Sequence, residues 1–257
     1  MWQKDVSFSV PLKKLIPKFK PLTLVWINPG SFLMGSSGDK SDYVHGYEKP
    51  FKATISQGYW LGKFLVTQEQ WDIVMGIDQS QNKQLQDLPV VNINREEALS
   101  FCTTLNNLFE AQLPSGYRFS LPTEMQWEFA CRAGTTTKFY NGDDVSNLSD
   151  IAWSYENSLG HIHPVGEKEP NAWGLHDMLG NVFEWCYDFG APYPSGDAVD
   201  WIGNANELTG MFRGGSSYQS YSLAYSVAGY IFYCSTRGYS FADSKTPNIG
   251  FRLCLRH

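Results

Sequence analysis

Helical signals are confined to the first half of this 257-residue chain. Thr67, Asn94 and Thr123 each precede an amphipathic stretch, and each can cap a helix by accepting an amide of its first turn. From Gly134 onward the sequence holds turns, aromatics and short alternating stretches without a sustained helical period. Helices followed by strands, without βαβ alternation, predict an α+β domain with an irregular, β-rich C-terminal half.

The boundaries of several elements follow from the same signals. Strands are predicted at Leu22–Ile27, at Phe32–Gly35 and within the aromatic stretch Phe51–Phe64. The first helix is expected to stop at Gly76, and the third to run to Arg132 and to end at Gly134. No linker or repeat divides the chain, so residues 1–257 are predicted to form one domain.

Net charge and hydropathy argue against nucleic-acid binding and against a membrane-spanning protein. The formal charge is −6 and no basic stripe occurs, which argues against nucleic acid. No apolar run is long enough to span a bilayer, so a membrane-spanning protein is not expected. The first ten residues, MWQKDVSFSV, lack the apolar region of a signal peptide, so the protein is either cytoplasmic or exported by a signal absent from this chain.

The five cysteines are Cys102, Cys131, Cys186, Cys234 and Cys254. They are scattered and form no CxxC pair, which argues against a metal cluster held by thiolates. We expect buried free thiols with at most one disulfide.

The segment 217–244 differs in composition from the rest of the chain. Six of the fourteen tyrosines and seven serines fall within it, and it lacks Glu, Lys, Trp, Met, Asn and Pro. Tyrosine, serine and glycine dominate antibody loops because they join rigid contact area to adaptable hydrogen bonding. Two interpretations stay open: an exposed binding surface, or a set of aromatic core strands.

Three ordered motifs carry a family resemblance. They are YRFSLPTEMQWEFACRAGT at 117–135, NAWGLHDMLGNVFEW at 171–185, and the pair FRGGS at 212–216 with NIGFR at 248–252. In this order they resemble the formylglycine-generating-enzyme (sulfatase-modifying factor) family over residues 22–255. The resemblance implies a C-type-lectin-like fold with few regular elements.

The resemblance also implies a chemistry, a copper-dependent oxidation of a substrate cysteine. Its enzymes carry two cysteines three and eight residues after the serine of RGGS, and thiolates suit the soft Cu(I) ion. Gln219 and Ala224 stand at those positions here. A related branch that forms carbon–sulfur bonds at iron needs an extra helical domain with histidine ligands, and such a domain is not expected here. A non-enzymatic role is therefore favoured, with an oxidase of altered site, using Cys234 and a second thiol, as the alternative.

The chain also resembles a non-enzymatic group with a similar fold, the variable proteins of diversity-generating retroelements, and within that group it resembles the treponemal type. Mutagenesis of adenines in AAC codons yields NNC codons, which cannot encode Gln, Glu, Lys, Met or Trp. Residues 217–244 contain one residue of these five types, Gln219. The segment also lies where the resemblance places a variable region, between RGGS and IGFR.

These observations predict a ligand-binding protein whose segment 217–244 is displayed on a constant frame. The partner is expected to be a protein or another cell-surface macromolecule, with the chain at the cell surface or outside the cell as a lipoprotein. A member of the fold with one fixed partner is a further alternative. The predicted ligand-binding residues are Tyr218, Tyr221, Ser222, Tyr225, Ser226, Gly229, Tyr230, Phe232, Tyr233, Tyr239, Ser240, Phe241 and Asp243.

The resemblance further implies a structural calcium site. Its ligands would be the side chains of Asp177 and Glu184 with the carbonyls of Gly180 and Val182, oxygen donors that suit Ca²⁺. The alternative is a turn in which both carboxylates accept backbone hydrogen bonds. Glu128, one helical turn after Glu124, is predicted to bond neighbouring loops, with a catalytic carboxylate as the minor option.

Overall fold

The strands form three small sheets. The computed structural model describes residues 5–8, 21–36, 49–77, 85–221 and 230–257. The strands in chain order are β1 Asp5–Phe8, β2 Leu22–Ile27, β3 Gly30–Met34, β4 Phe51–Ile55, β5 Tyr59–Gly62, β6 Arg118–Ser120, β7 Phe183–Gly190, β8 Ala198–Val199, β9 Asn206–Arg213, β10 Gly238–Phe241, β11 Ile249–Gly250 and β12 Cys254–Arg256. Their orders are β1-β2-β5-β12-β6, β10-β9-β7-β11 and β3-β4-β8.

The three predicted helices form with the predicted caps. They are α1 Gln68–Met75, α2 Arg95–Phe109 and α3 Glu124–Arg132, and each begins with a reciprocal capping box. Gly76 ends α1 in the left-handed region, as expected. The third helix differs from the prediction in one detail, because Ala133 rather than Gly134 is its left-handed cap.

After α3, the described residues contain two further α-helices of four residues each, α4 Leu148–Ile151 and α5 Tyr155–Ser158. They are too short to produce the periodicity on which sequence prediction depends. The expected α+β class with a β-rich C-terminal half is confirmed. Within the described ranges, no helix is both long and apolar enough to cross a membrane.

Two apolar cores lie on either side of the larger sheets. One packs α1 and α2 against the five-stranded sheet, where the rings of Trp71 and Phe101 stack with centroids 5.5 Å apart. The other surrounds α3, with Trp127 fully buried at its centre. The frame of the molecule is thus close-packed on both faces of the sheets, as protein interiors are.

The four-stranded sheet brings together the second motif and both halves of the third. Strand β7 follows GNV of the second motif, β9 ends at the arginine of RGGS, and β11 lies in IGFR. In the register of the sheet Glu184 stands opposite Arg213 on one side and Gly250 on the other. The motifs are distant in sequence and adjacent in space.

Glycine is required where RGGS leaves β9. Gly215 has a φ of +77°, and a Cβ there would lie 2.7 Å from the ring of Phe232. A side chain at this position would be strained by the backbone and would collide with a buried ring. This turn sets the point at which the Tyr/Ser-rich segment departs from the sheet.

Candidate ligand-binding surface

Arg213 lies at the centre of a buried ion-pair cluster. Its Nε donates to Glu124 Oε1 at 2.8 Å and its Nη1 to Glu128 Oε2 at 3.0 Å, with no exposed side-chain surface on any of the three. Its Nη2 donates to the hydroxyl of Tyr193 at 2.8 Å. The guanidinium therefore neutralises two carboxylates that project from adjacent turns of α3.

Two further arginines complete the cluster. Arg237 binds both oxygens of Glu124, and Arg132 pairs with Glu128 at 2.8 Å. Burial alone would raise the pKa of Glu124, but Arg237 and Arg213 outweigh it and lower that pKa. Glu124 is consequently held in its charged form.

Glu128 also bonds a neighbouring loop, in agreement with its predicted structural role. Its Oε1 accepts the amide of Gly35 at 2.9 Å, and Arg132 donates to the carbonyl of Gly35 at 2.9 Å. The spacing of Glu124 and Glu128 is visible in the sequence, but their arginine partners are not. The sequence does indicate that such partners exist, because two acidic residues one turn apart on an otherwise buried helix require cations nearby.

The Tyr/Ser-rich segment is attached to this frame through its main chain. Near its start, Ser217 N donates to Asn181 O at 2.9 Å, and Gln219 O accepts from Tyr155 N at 2.9 Å. Near its end, Cys234 N donates to Lys138 O at 2.8 Å. Arg213 Nη1 donates to the carbonyls of Cys234 and Thr236 at 3.3 Å. Contacts of this kind depend little on which side chain each position carries.

Three aromatic residues of the predicted set have strongly exposed rings. Tyr218 is 45% exposed, Tyr239 65% and Phe241 66%. The last two alternate along β10, which lies at the edge of its sheet, so their side chains project from one face. Asp243 is exposed, while Tyr221 and Ser240 are partly buried. Large exposed aromatics on one face are typical of recognition surfaces.

Phe232 and Tyr233 do not belong to the exposed surface, contrary to the prediction. Phe232 has no exposed surface and Tyr233 is 3% exposed. The ring of Tyr233 packs against Phe139 with centroids 5.4 Å apart, and that of Phe232 covers Gly215. They are core residues that anchor the end of the segment. Outside the described residues lie Ser222, Tyr225, Ser226, Gly229 and the side chain of Tyr230.

The position of the family's first copper cysteine holds a hydrogen-bonded amide. Gln219 Oε1 accepts from the hydroxyl of Ser216, and Ala224 lies outside the described residues. Cys234, however, contacts a second thiol, with its Sγ 3.5 Å from the Sγ of Cys131. Both side chains are fully buried, and burial raises the pKa of Cys131 well above its ordinary value.

The predicted calcium ligands only partly fit a cation. Both oxygens of Glu184 are bound by Arg252, at 2.6 and 2.8 Å, and Oε2 also accepts from Trp127 at 2.9 Å. The charge of Glu184 is already balanced by Arg252, so in this arrangement Glu184 does not fit the role of a calcium ligand. Asp177 accepts the amide of Gly166 at 2.8 Å through Oδ2, while its buried Oδ1 has no partner among the described residues. Calcium stays a prediction, which thermal unfolding with and without the ion would check.

Two buried aspartates predict a pH-dependent stability. Burial raises the pKa of Asp188 to about 7 and that of Asp177 to about 6, both from 3.8. The folded chain therefore retains protons that the unfolded chain releases between about pH 4 and 7, and its stability should fall as the pH rises through this window. Since a pKa difference of one corresponds to about 1.4 kcal/mol, a fall of a few kcal/mol is expected.

Urea unfolding across this pH window measures the effect. Asp188 accepts the amides of Glu124 and Gly203, both at 2.7 Å, and Asp188→Asn keeps an acceptor without the titration. The variant should therefore show a smaller decline than the wild-type protein. Stability that is constant or rises over the same window would contradict the assignment.

Two curated proteins with similar sequences are formylglycine-generating enzymes. The formylglycine-generating enzyme of Bos taurus is 26% identical over 186 residues, covering 66% of this chain and 45% of that protein. The enzyme of Streptomyces coelicolor is 34% identical over 148 residues, covering 51% of this chain and 45% of that protein. The chain spans about half the length of these curated relatives.

The structure is also similar to that of Treponema denticola variable protein 1. The TM-score is 0.81 at 26% identity, and the match covers 98% of this chain and 99% of that one. The C-type-lectin-like fold expected from the motifs is thereby confirmed. A profile described as the sulfatase-modifying factor enzyme 1-like domain matches residues 13–257, and the chain belongs to that family.

Proposed function

We propose that this chain is a non-enzymatic ligand-binding protein whose segment 217–244 is diversified by a retroelement. The observation that carries the proposal is a division of roles within the segment. Its main chain is bonded to a buried, ion-paired frame, whereas Tyr218, Tyr239 and Phe241 present their rings to solvent. A rigid frame with replaceable surface residues lets many sequences share one fold.

The similarity to Treponema denticola variable protein 1 supports the proposal, because it extends over almost the whole of both chains. The departure from the copper-binding positions of the family points the same way, since Gln219 at the first of them has no thiolate and accepts from the hydroxyl of Ser216. We extend the proposal to the partner, a protein or another macromolecule of a cell surface, and to an exported location for the chain.

Exposed aromatic rings suit this role physically. A tyrosine or phenylalanine side chain has two rotatable bonds, so immobilising it costs less conformational entropy than immobilising a long charged chain. Each ring offers a large contact area, and tyrosine adds a hydroxyl that can bond a polar group. Tyr239 and Phe241 stand on a paired strand, which fixes their spacing before a ligand arrives.

The proposal predicts that exposed and buried aromatics of the segment respond differently to substitution. Tyr239→Ser and Phe241→Ser should each change the unfolding free energy by less than about 1 kcal/mol, as surface substitutions do. Phe232→Ala, the matched buried control in the same segment, should cost about 3–5 kcal/mol. Urea unfolding of the three variants measures the contrast. A loss at Tyr239 or Phe241 as large as that at Phe232 would contradict display.

Diversification itself is tested at the genetic locus. The proposal predicts a reverse transcriptase gene and a template repeat that matches the coding sequence of 217–244 except at adenines. A locus with neither would overturn retroelement diversification and favour the alternative in which the surface has one fixed partner.

A formylglycine-generating-type oxidase with an altered site is favoured by one observation, the contact between Cys131 and Cys234. Both thiols are fully buried, so a substrate cysteine could reach a metal held there only after the core opened. An assay of oxygen-dependent oxidation of a cysteine peptide with added Cu(I) checks this second candidate. Turnover by the wild-type protein that is lost in both Cys131→Ala and Cys234→Ala would establish the oxidase activity and contradict a role in display alone.

A further inference from the structure

The outer edge of the four-stranded sheet is formed by β10. The strand stands at the end of the order β10-β9-β7-β11 and pairs antiparallel with β9. Among the described residues, no second strand pairs with it. Because an edge strand presents main-chain donors and acceptors on its open side, that side is a template for the addition of another strand.

The register shows which main-chain groups of β10 face outward. One step beyond the paired residues, Ala242 donates its amide to the carbonyl of Leu208 at 2.9 Å. Bonded and non-bonded positions alternate along an antiparallel pair, so Ser240 is also a position bonded to β9. Tyr239 and Phe241 therefore direct their amides and carbonyls away from β9, toward the open side.

The open side of β10 carries nothing that would block another strand. Its sequence, GYSF, has none of the charged residues or prolines with which edge strands commonly prevent pairing. The outward amides of Tyr239 and Phe241 have no hydrogen-bond partner among the described residues, while the carbonyl of Phe241 accepts from Ser244 at 2.9 Å. The exposed rings of Tyr239 and Phe241 lie beside these amides.

The surface beyond the end of β10 is acidic. Glu207 on β9 and Asp243, just after β10, are both exposed. Neither forms a salt bridge with a described residue. The formal charge of the whole chain, −6, has the same sign. Complementarity of charge therefore favours a basic group in whatever lies along this edge.

We propose that β10 binds its ligand by strand addition, and that the ligand is an extended segment of a partner protein with a basic residue at one end. The amides of Tyr239 and Phe241 donate to the segment, and its alternate side chains pack on the two rings. Its basic residue approaches Glu207 and Asp243. This mode of binding rests on the proposed display function and narrows its partner from a macromolecule to an extended, basic peptide segment.

Strand addition divides affinity from specificity. The main-chain bonds of β10 are available whatever side chains the segment 217–244 carries, so they give every variant a common contribution to binding. The side chains at 239 and 241 then decide which segment fits best. A diversified surface that binds in this way needs few favourable substitutions to acquire a new ligand.

Hydrogen exchange followed by NMR tests the open edge in the free protein. The amides of Ser240 and Ala242 are bonded to β9 and should be protected. The amides of Tyr239 and Phe241 should exchange at least about tenfold faster, because they face solvent. Slow exchange at both outward amides would mean that the edge is already covered, and it would overturn the proposal.

The binding test selects its probe on the wild-type protein from a library of linear peptides about nine residues long, enough to cover β10 and the acidic residues beyond it. The selected probe should contain a basic residue and should protect the amides of Tyr239 and Phe241 from exchange. Methyl groups on the alternate probe amides that face β10 should weaken binding by at least about tenfold, whereas methyl groups on the other amides should not.

Tyr239→Pro and Tyr239→Ala form a matched pair on the protein. Both remove the ring, but only proline removes the outward amide, and no bond to β9 is lost with it. Tyr239→Pro should therefore bind the probe about fivefold more weakly than Tyr239→Ala. Thermal unfolding checks that both variants fold, and the methylated probes decide the matter on the wild-type protein if Tyr239→Pro does not.

The outcomes distinguish strand addition from display. If no peptide is selected, or if both methylated probes bind as well as the parent, strand addition is wrong. Binding that is lost in Tyr239→Ala but is insensitive to methylation would keep display by the rings and remove the role of the main chain. A locus without a reverse transcriptase would remove diversification and leave the measurements on β10 unaffected.

Discussion

Arg213→Met should lower the unfolding free energy by about 3–5 kcal/mol, because it leaves buried charges without their partner. Glu124 and Glu128 would keep Arg237 and Arg132, respectively, but the guanidinium that joins the two carboxylates would be gone. The loss also removes the donors to the carbonyls of Cys234 and Thr236. Urea unfolding at constant pH measures the effect.

Two controls separate this effect from a general loss of charge. Lys245 pairs with Glu97 on the surface, where the two side chains are 50% and 37% exposed, and Lys245→Ala should cost less than about 1 kcal/mol. Arg213→Lys keeps the charge but cannot reproduce the planar array of donors, so an intermediate loss is expected. If Arg213→Met were as mild as the surface control, the cluster would not stabilise the frame.

The second large effect is expected at Arg252, the arginine of IGFR. Its guanidinium binds both oxygens of Glu184 and donates to the carbonyls of Gly62 and His176, each at 2.9 Å, with no exposed surface. Arg252→Met should cost about 3–5 kcal/mol because, among the residues that the structure describes, Glu184 would keep only the indole of Trp127 as a side-chain donor.

A double-mutant cycle with Glu184→Gln tests the pair directly. In the Glu184→Gln background, removing Arg252 should lower the unfolding free energy by less than it does in the wild type, giving a coupling energy of about 2–3 kcal/mol. Additive losses would mean that the two residues act independently and that the carbonyl contacts of Arg252 carry its contribution. A cycle of Tyr239→Ser with Glu184→Gln supplies the uncoupled reference.

Local chemistry made the helices predictable from the sequence. Each cap residue satisfies an amide of its own first turn, so Thr67, Asn94 and Thr123 identify helix starts without knowledge of the fold. Such signals depend on neighbours within a few residues. Tyr239 and Phe241 were predicted from the composition of their segment, whereas the alternation of β10 that exposes them is visible only in the structure.

Contacts between distant segments were not predictable in this way. Arg213 meets Glu124 across 89 residues and Cys234 meets Cys131 across 103, and neither contact leaves a periodic trace in the sequence. Phe232 and Tyr233 share the composition of the displayed residues, and only the fold turns their rings into the core. Composition identifies a segment, whereas the side of the chain that faces solvent depends on packing.

The main-chain attachment of the segment has an evolutionary consequence. Ser217, Gln219 and Cys234 are held through amides and carbonyls that every amino acid except proline possesses in full. A substitution inside the segment therefore leaves these bonds chemically intact, and its cost is set mainly by what its own side chain touches. Mutations at exposed positions therefore lower the stability of the fold only slightly, and a variant is lost to selection only when its stability falls below the level that function requires. The surface can change over generations while the fold that carries it is inherited unaltered.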